Sequence, residues 1–91
     1  MADTNFILEY KKSKNQPFFF KMGISSELYK LDSMDSSSWF AQKMLTRGAM
    51  LNLSDICLAE VVDVTTNERR RIYEDKNWLI DDDGRVLGGQ R

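Results

Sequence analysis

Ninety-one residues, 42% of them hydrophobic and carrying a net charge of −1, describe one small domain with a single modest core. The near-neutral balance excludes a global pull toward nucleic acid or anionic membrane. One cysteine and no histidine exclude an internal disulfide and the ordinary zinc and iron sites, so no cofactor and no metal is expected.

Met1–Asn5 lacks the basic and long apolar regions of a signal peptide, and no run reaches the ~20 apolar residues of a membrane helix. A cytoplasmic setting is expected from the single cysteine and the lack of a disulfide. Phe6–Lys11 reads as a strand with Phe6, Leu8 and Tyr10 on one side. After a turn at Ser13–Gln16, Pro17 opens a second strand, Phe18–Met22. Phe18, Phe20 and Met22 point inward, Phe19 and Lys21 point outward, and Gly23 breaks the strand. Leu28–Leu31 offers a further short strand.

The one principal helix is expected to start with Asp35 as N-cap, Met34 and Trp39 forming a hydrophobic staple. Its predicted buried face is Phe40, Ala41, Met44 and Leu45, and Gly48 ends it. Lys43, Thr46 and Arg47 face water, and Trp39 falls on the polar side. Ala49–Leu53 leads on as extended chain.

Ile56–Val64 is the longest apolar segment and reads as a central strand, although a helix can also be drawn through Ser54–Val62. Thr65–Glu68 turns the chain, with Asn67 able to adopt the left-handed conformation. Arg69–Glu74 returns beside the central strand. Asp75-Lys76 is a short connection, and Asn77–Asp81 pairs with Arg85–Leu87 around Asp82-Asp83-Gly84, glycine taking the positive-φ position. Residues 88–91 read as a frayed tail. The fold class is α+β: a small antiparallel sheet of about five strands packed by one principal α-helix, forming a single domain over residues 1–91.

Chemistry-bearing residues are few. Cys57 sits in the most apolar segment, where burial makes a thiol inert. No acid–base pair stands out, which argues against an enzyme. Asp81-Asp82-Asp83-Gly84 has carboxylates suited to a hard cation, but Leu79 and Gln90 stand where a calcium loop needs acids, so a turn is the better reading. Arg69, Arg71 and Tyr73 share one face at period two, near Trp78. They either present guanidinium forks and a ring to an anion or guard a sheet edge by charge.

Phe19, Tyr29, Trp39 and Trp78 exceed the cover one helix supplies, and aromatics with arginine are the types enriched at binding hot spots. The candidate partner- or anion-binding set is therefore Arg69, Arg71, Tyr73, Trp78, Trp39 and Phe19. The leading expectation is a non-enzymatic binding module that occupies a partner protein's surface and self-associates as a homo-oligomer. Its size and composition are those of small accessory and inhibitor proteins, including those of bacteriophages. The alternative is a nucleic-acid or nucleotide-phosphate binder using the Arg69/Arg71 face.

Overall fold

The structure, a computed structural model, describes residues 4–17, 20–47 and 53–87. Its strands are β1 (Thr4–Lys11), β2 (Phe20–Ser25), β3 (Leu58–Asp63), β4 (Glu68–Glu74) and β5 (Asn77–Trp78). A single turn of helix, α1 (Ser26–Tyr29), follows β2, and the principal helix is α2 (Met34–Arg47). The five strands form one antiparallel sheet in the order β2-β1-β3-β4-β5, with α2 packed on β3 and β4. This is the α+β arrangement expected.

Period-two alternation sorts the sheet residues. Phe6, Leu8 and Tyr10 of β1 and Ala59 and Val61 of β3 point to the α2 side and are buried with Ile72, Ala41 and Leu45. The opposite face carries Ile7, Glu9, Glu60, Val62, Arg69 and Arg71. β3 lies at the centre of the sheet, and its residues from Leu58 to Val62 are buried on both faces, as its composition predicts.

β3 is shorter than the apolar segment suggested. Leu53–Asp55 forms a 3₁₀ turn, and Ile56 and Cys57 precede the strand. Cys57 is half-buried, not buried. It stands outside the regular strand, donating its amide to the Lys11 carbonyl while its own carbonyl accepts from the Asp75 amide. Gly23 does not break β2: it lies within the strand, opposite Ile7. Leu28 to Leu31 is not a strand. Ser25 Oγ accepts from the Leu28 amide at 2.9 Å, capping α1, and Lys30 at φ 57° ends it.

α2 begins earlier than Asp35. Ser33 is the N-cap, its Oγ accepting from the Ser36 amide at 3.0 Å, while Ser36 Oγ accepts from the Ser33 amide at 3.2 Å. That reciprocal pair is a capping box with serine in the place usually held by Glu or Gln, and it leaves no Met34–Trp39 staple. The buried face is Ser37, Ser38, Ala41, Gln42 and Leu45, so Phe40 and Met44 are only half-buried. At ~100° per residue the helix is rolled by roughly 60° from the apolar face read in the sequence. Two contacts fix that roll. Arg70 of β4 reaches Asp35 in the first turn, and the Gly84 backbone lies against Asp35 and Trp39. The small Ser37 and Ser38 let the helix sit close to the sheet. Gly48 and most of Ala49–Leu53, like Phe18, Phe19 and the tail 88–91, lie outside the described residues.

The turns follow their sequence signals. Asn67 has φ 65° and Gly84 φ 84°, while Asp75 and Lys76 (φ 51° and 72°) make the tight turn into β5. Ile80 and Val86 bridge across the last hairpin.

Candidate functional site

Two surfaces compete for the role of binding site, one on each side of the molecule. The first is the face of the sheet opposite α2. There Glu9 and Glu60 are direct cross-strand neighbours, only 4% and 7% exposed. Arg69 Nη1 donates to both carboxylates, at 2.8 and 2.9 Å. Arg71 Nε donates to Glu60 at 3.3 Å and its Nη1 to Glu74 at 3.3 Å. The hydrogen bond from Glu9, then that from Glu60, holds the Arg69 guanidinium above its ordinary value. For Arg71, desolvation works the other way but is outweighed by Glu60 and Glu74, and its value is also raised.

The alternation read for the arginine run is correct: Arg69 and Arg71 point together, and Arg70 points to the α2 side. Tyr73 does not share the face of Arg69 and Arg71. The β3–β4 register slips by one residue, Ala59 pairing with Tyr73 but Glu60 with Arg71, so Ile72 is the extra residue of a β-bulge. A one-residue slip moves the side chain across the sheet. Tyr73 is accordingly buried in the core, its hydroxyl donating to the Leu53 carbonyl at 3.4 Å. Trp78 packs edge-on against it, ring centroids 5.0 Å apart, and is half-buried. The aromatic part of the expected anion site is thus core structure.

The second surface is the outer side of α2. Trp39 is 40% exposed, and Tyr29 and Leu28 of α1 are 48% and 68% exposed. The Tyr29 and Phe40 rings lie 4.3 Å apart at 35°, tying α1 to α2. Lys43 Nζ sits 5.9 Å from the Trp39 ring centroid, one helical turn along. Tyr29, Trp39, Phe40, Lys43, Met44 and Arg47 line an open groove of about 460 Å³.

The groove follows directly from the roll of α2. A helix that buries two serines and a glutamine turns Trp39 outward and leaves Phe40 and Met44 half-exposed at its flank. Of the predicted site residues it gathers Trp39 alone. Phe19 lies outside the described residues. Phe40, Lys43, Met44 and Arg47 were not read as site residues. Their signal was the spacing 39-43-47 and 40-44-47 beside an equally continuous small face, Ser37-Ser38-Ala41.

The hairpin carboxylates make a turn. Asp81 Oδ1 accepts from the amides of Asp83 (2.8 Å) and Arg85 (3.0 Å), which pulls its pKa below the ordinary carboxylate value. Among the described residues no group of three potential ligands is placed to hold a metal, and no helix is long and apolar enough to cross a membrane. No protein-family model, no curated protein and no solved structure matches this chain.

Proposed function

We propose that this protein is a non-enzymatic binding module that occupies the surface of a partner protein through the outer face of α2. The observation that carries this reading is the orientation of the helix. It buries Ser37, Ser38 and Gln42 against the sheet and leaves Trp39, with Tyr29 of α1, exposed beside the half-buried Phe40 and Met44. A partly exposed aromatic, methionine-containing groove is the composition of a protein-binding hot spot. The guanidinium groups of Arg69 and Arg71 are already engaged by carboxylates, which favours the α2 face over the arginine face as the place of contact.

The test is capture from native lysate by the tagged protein and by its Trp39→Ala and Arg71→Gln variants, each checked for an unchanged fold. A partner retained in fixed stoichiometry by the wild type and by Arg71→Gln, and lost with Trp39→Ala, supports the reading. A partner kept by Trp39→Ala and lost with Arg71→Gln contradicts it.

A further inference from the structure

The charge of the groove's walls narrows what can lie in it. The described residues that line it include two cations, Lys43 and Arg47, and no carboxylate. Lys30, next in sequence to Tyr29, is exposed. A two-fold pairing of this face with itself would set a cationic surface against its own copy, so the face is not self-complementary in charge. Two or three cations on a chain of net charge −1 are also too few for a polyanion, whose binding scales with the number of phosphates neutralised. The walls are mainly apolar, and Trp39 already has Lys43 over its ring, which leaves less of that ring free for a stacked base.

Spacing adds shape to charge. Trp39, Lys43 and Arg47 follow one another at i, i+4 and i+8 along α2, and Phe40 and Met44 form the adjoining row. Lys43 and Arg47 are thus ~6 Å apart along the axis, the rise of four helical residues. A second helix laid along this row would present carboxylates at the same i, i+4 spacing. Its apolar side chains would meet Trp39, Phe40, Met44 and Tyr29, as in helix-in-groove recognition.

On that basis, and resting on the binding function proposed above, we propose that the occupant of the α2 groove is an amphipathic helix of a partner protein. Its apolar stripe lies between Tyr29 and Met44, and a flanking row of carboxylates pairs with Lys43 and Arg47.

The experiment uses the full chain and two capped synthetic helices of about 18 residues, long enough to be helical when bound. Both carry the same leucine and phenylalanine stripe, one flanked by glutamates and the other by lysines. Binding is read by anisotropy of the labelled peptides. The glutamate helix is expected to bind at least tenfold tighter than the lysine helix, and to weaken as salt is raised. The double variant Lys43→Glu/Arg47→Glu is expected to reverse that preference with an unchanged melting temperature. Should that variant not fold, Lys43→Gln/Arg47→Gln is expected to reduce the preference to less than threefold.

Equal binding of the two helices, no binding of the glutamate helix, or an unreversed preference overturns the proposal. So does a single-stranded oligonucleotide that outcompetes the glutamate helix, or a concentration-dependent dimer that Trp39→Ala dissolves. If the charge variants have no effect while Trp39→Ala still loses the captured partner, the acidic-helix chemistry fails and the binding function stands. If Trp39→Ala keeps the partner, both fail.

Discussion

Glu9 and Glu60 face each other across β1 and β3 as two almost fully buried carboxylates, and a single guanidinium, Arg69, donates to both. Like charges opposite one another in a sheet repel, so the pairing of the two central strands depends on a cation supplied by β4. The arginine thereby becomes part of the sheet's own structure.

Arg69→Ala is therefore expected to destabilise the protein by about 1–3 kcal/mol, because it removes from Glu9 and Glu60 the one cation seen to donate to both buried carboxylates. Arg69→Glu is expected to cost more, since it adds a third carboxylate. Urea unfolding measures both. A recognition arginine would behave differently, its loss leaving the unfolding midpoint almost unmoved.

Arg70, on the other side of β4, joins three elements. Its guanidinium donates to Asp35 in the first turn of α2 and, at 2.9 Å, to the Gly84 carbonyl of the last hairpin. Gly84 has φ 84°, and a Cβ there would lie far inside contact distance of the Asp35 carbonyl and 2.6 Å from the Trp39 amide nitrogen. Both the positive φ and the close approach require glycine. Gly84→Ala is expected to lower stability by at least about 2 kcal/mol, since backbone atoms cannot yield as a flexible side chain would. Arg70→Ala is expected to cost about 1.5–3 kcal/mol through its two charge-assisted hydrogen bonds. Thermal melting of the two variants checks both figures.

The serines under α2 should behave in the opposite sense. Ser37 and Ser38 are completely buried, and neither Oγ has a hydrogen-bond partner among the described residues. Ser38→Ala removes an unsatisfied hydroxyl and improves helix propensity, so it is expected to raise stability by about 0.5–2 kcal/mol. Ser38→Leu is expected to lower it by about 1–3 kcal/mol through overpacking against the sheet. A loss of stability in Ser38→Ala would show that the hydroxyl is satisfied.

Asp81 gives the last hairpin a pH dependence. Its carboxylate pKa is depressed by the amides of Arg85 and Asp83. A depressed carboxylate contributes stability that is fully present above its unfolded value and is lost as pH falls through its folded value. The hairpin is thus expected to loosen on acidification below the ordinary aspartate range, and Asp81→Asn to reduce that dependence. Amide exchange at Asp83 and Arg85, followed across acid pH, measures it.

Much of the architecture was legible because strands alternate strictly. The opposite orientations of Arg69 and Arg70, the central place of β3, and the positive φ at Asn67 and Gly84 all follow from period two and turn chemistry. Tyr73 was misplaced because the bulge at Ile72 carries no glycine or other local mark, so nothing in the chain announces that the alternation slips. α2 was misread for a related reason. Apolar residues normally define the buried face, and the serines beside Trp39 look like caps. What turns them inward is the contact of Arg70 and Gly84 with the start of the helix, a relation between residues 35 or more and 14 apart in sequence. The groove that results was invisible to periodicity, since its aromatic row reads as core.

Whether a partner binds at the outer face of α2 is decided by site-specific photocrosslinking in native lysate. A photoreactive residue is placed either at position 46, exposed on the outer side of α2, or at position 71, on the arginine face. Binding at α2 is expected to give one dominant adduct from position 46, abolished by Trp39→Ala, and none of comparable yield from position 71. An adduct formed from position 71 and absent from position 46 would rule that binding face out.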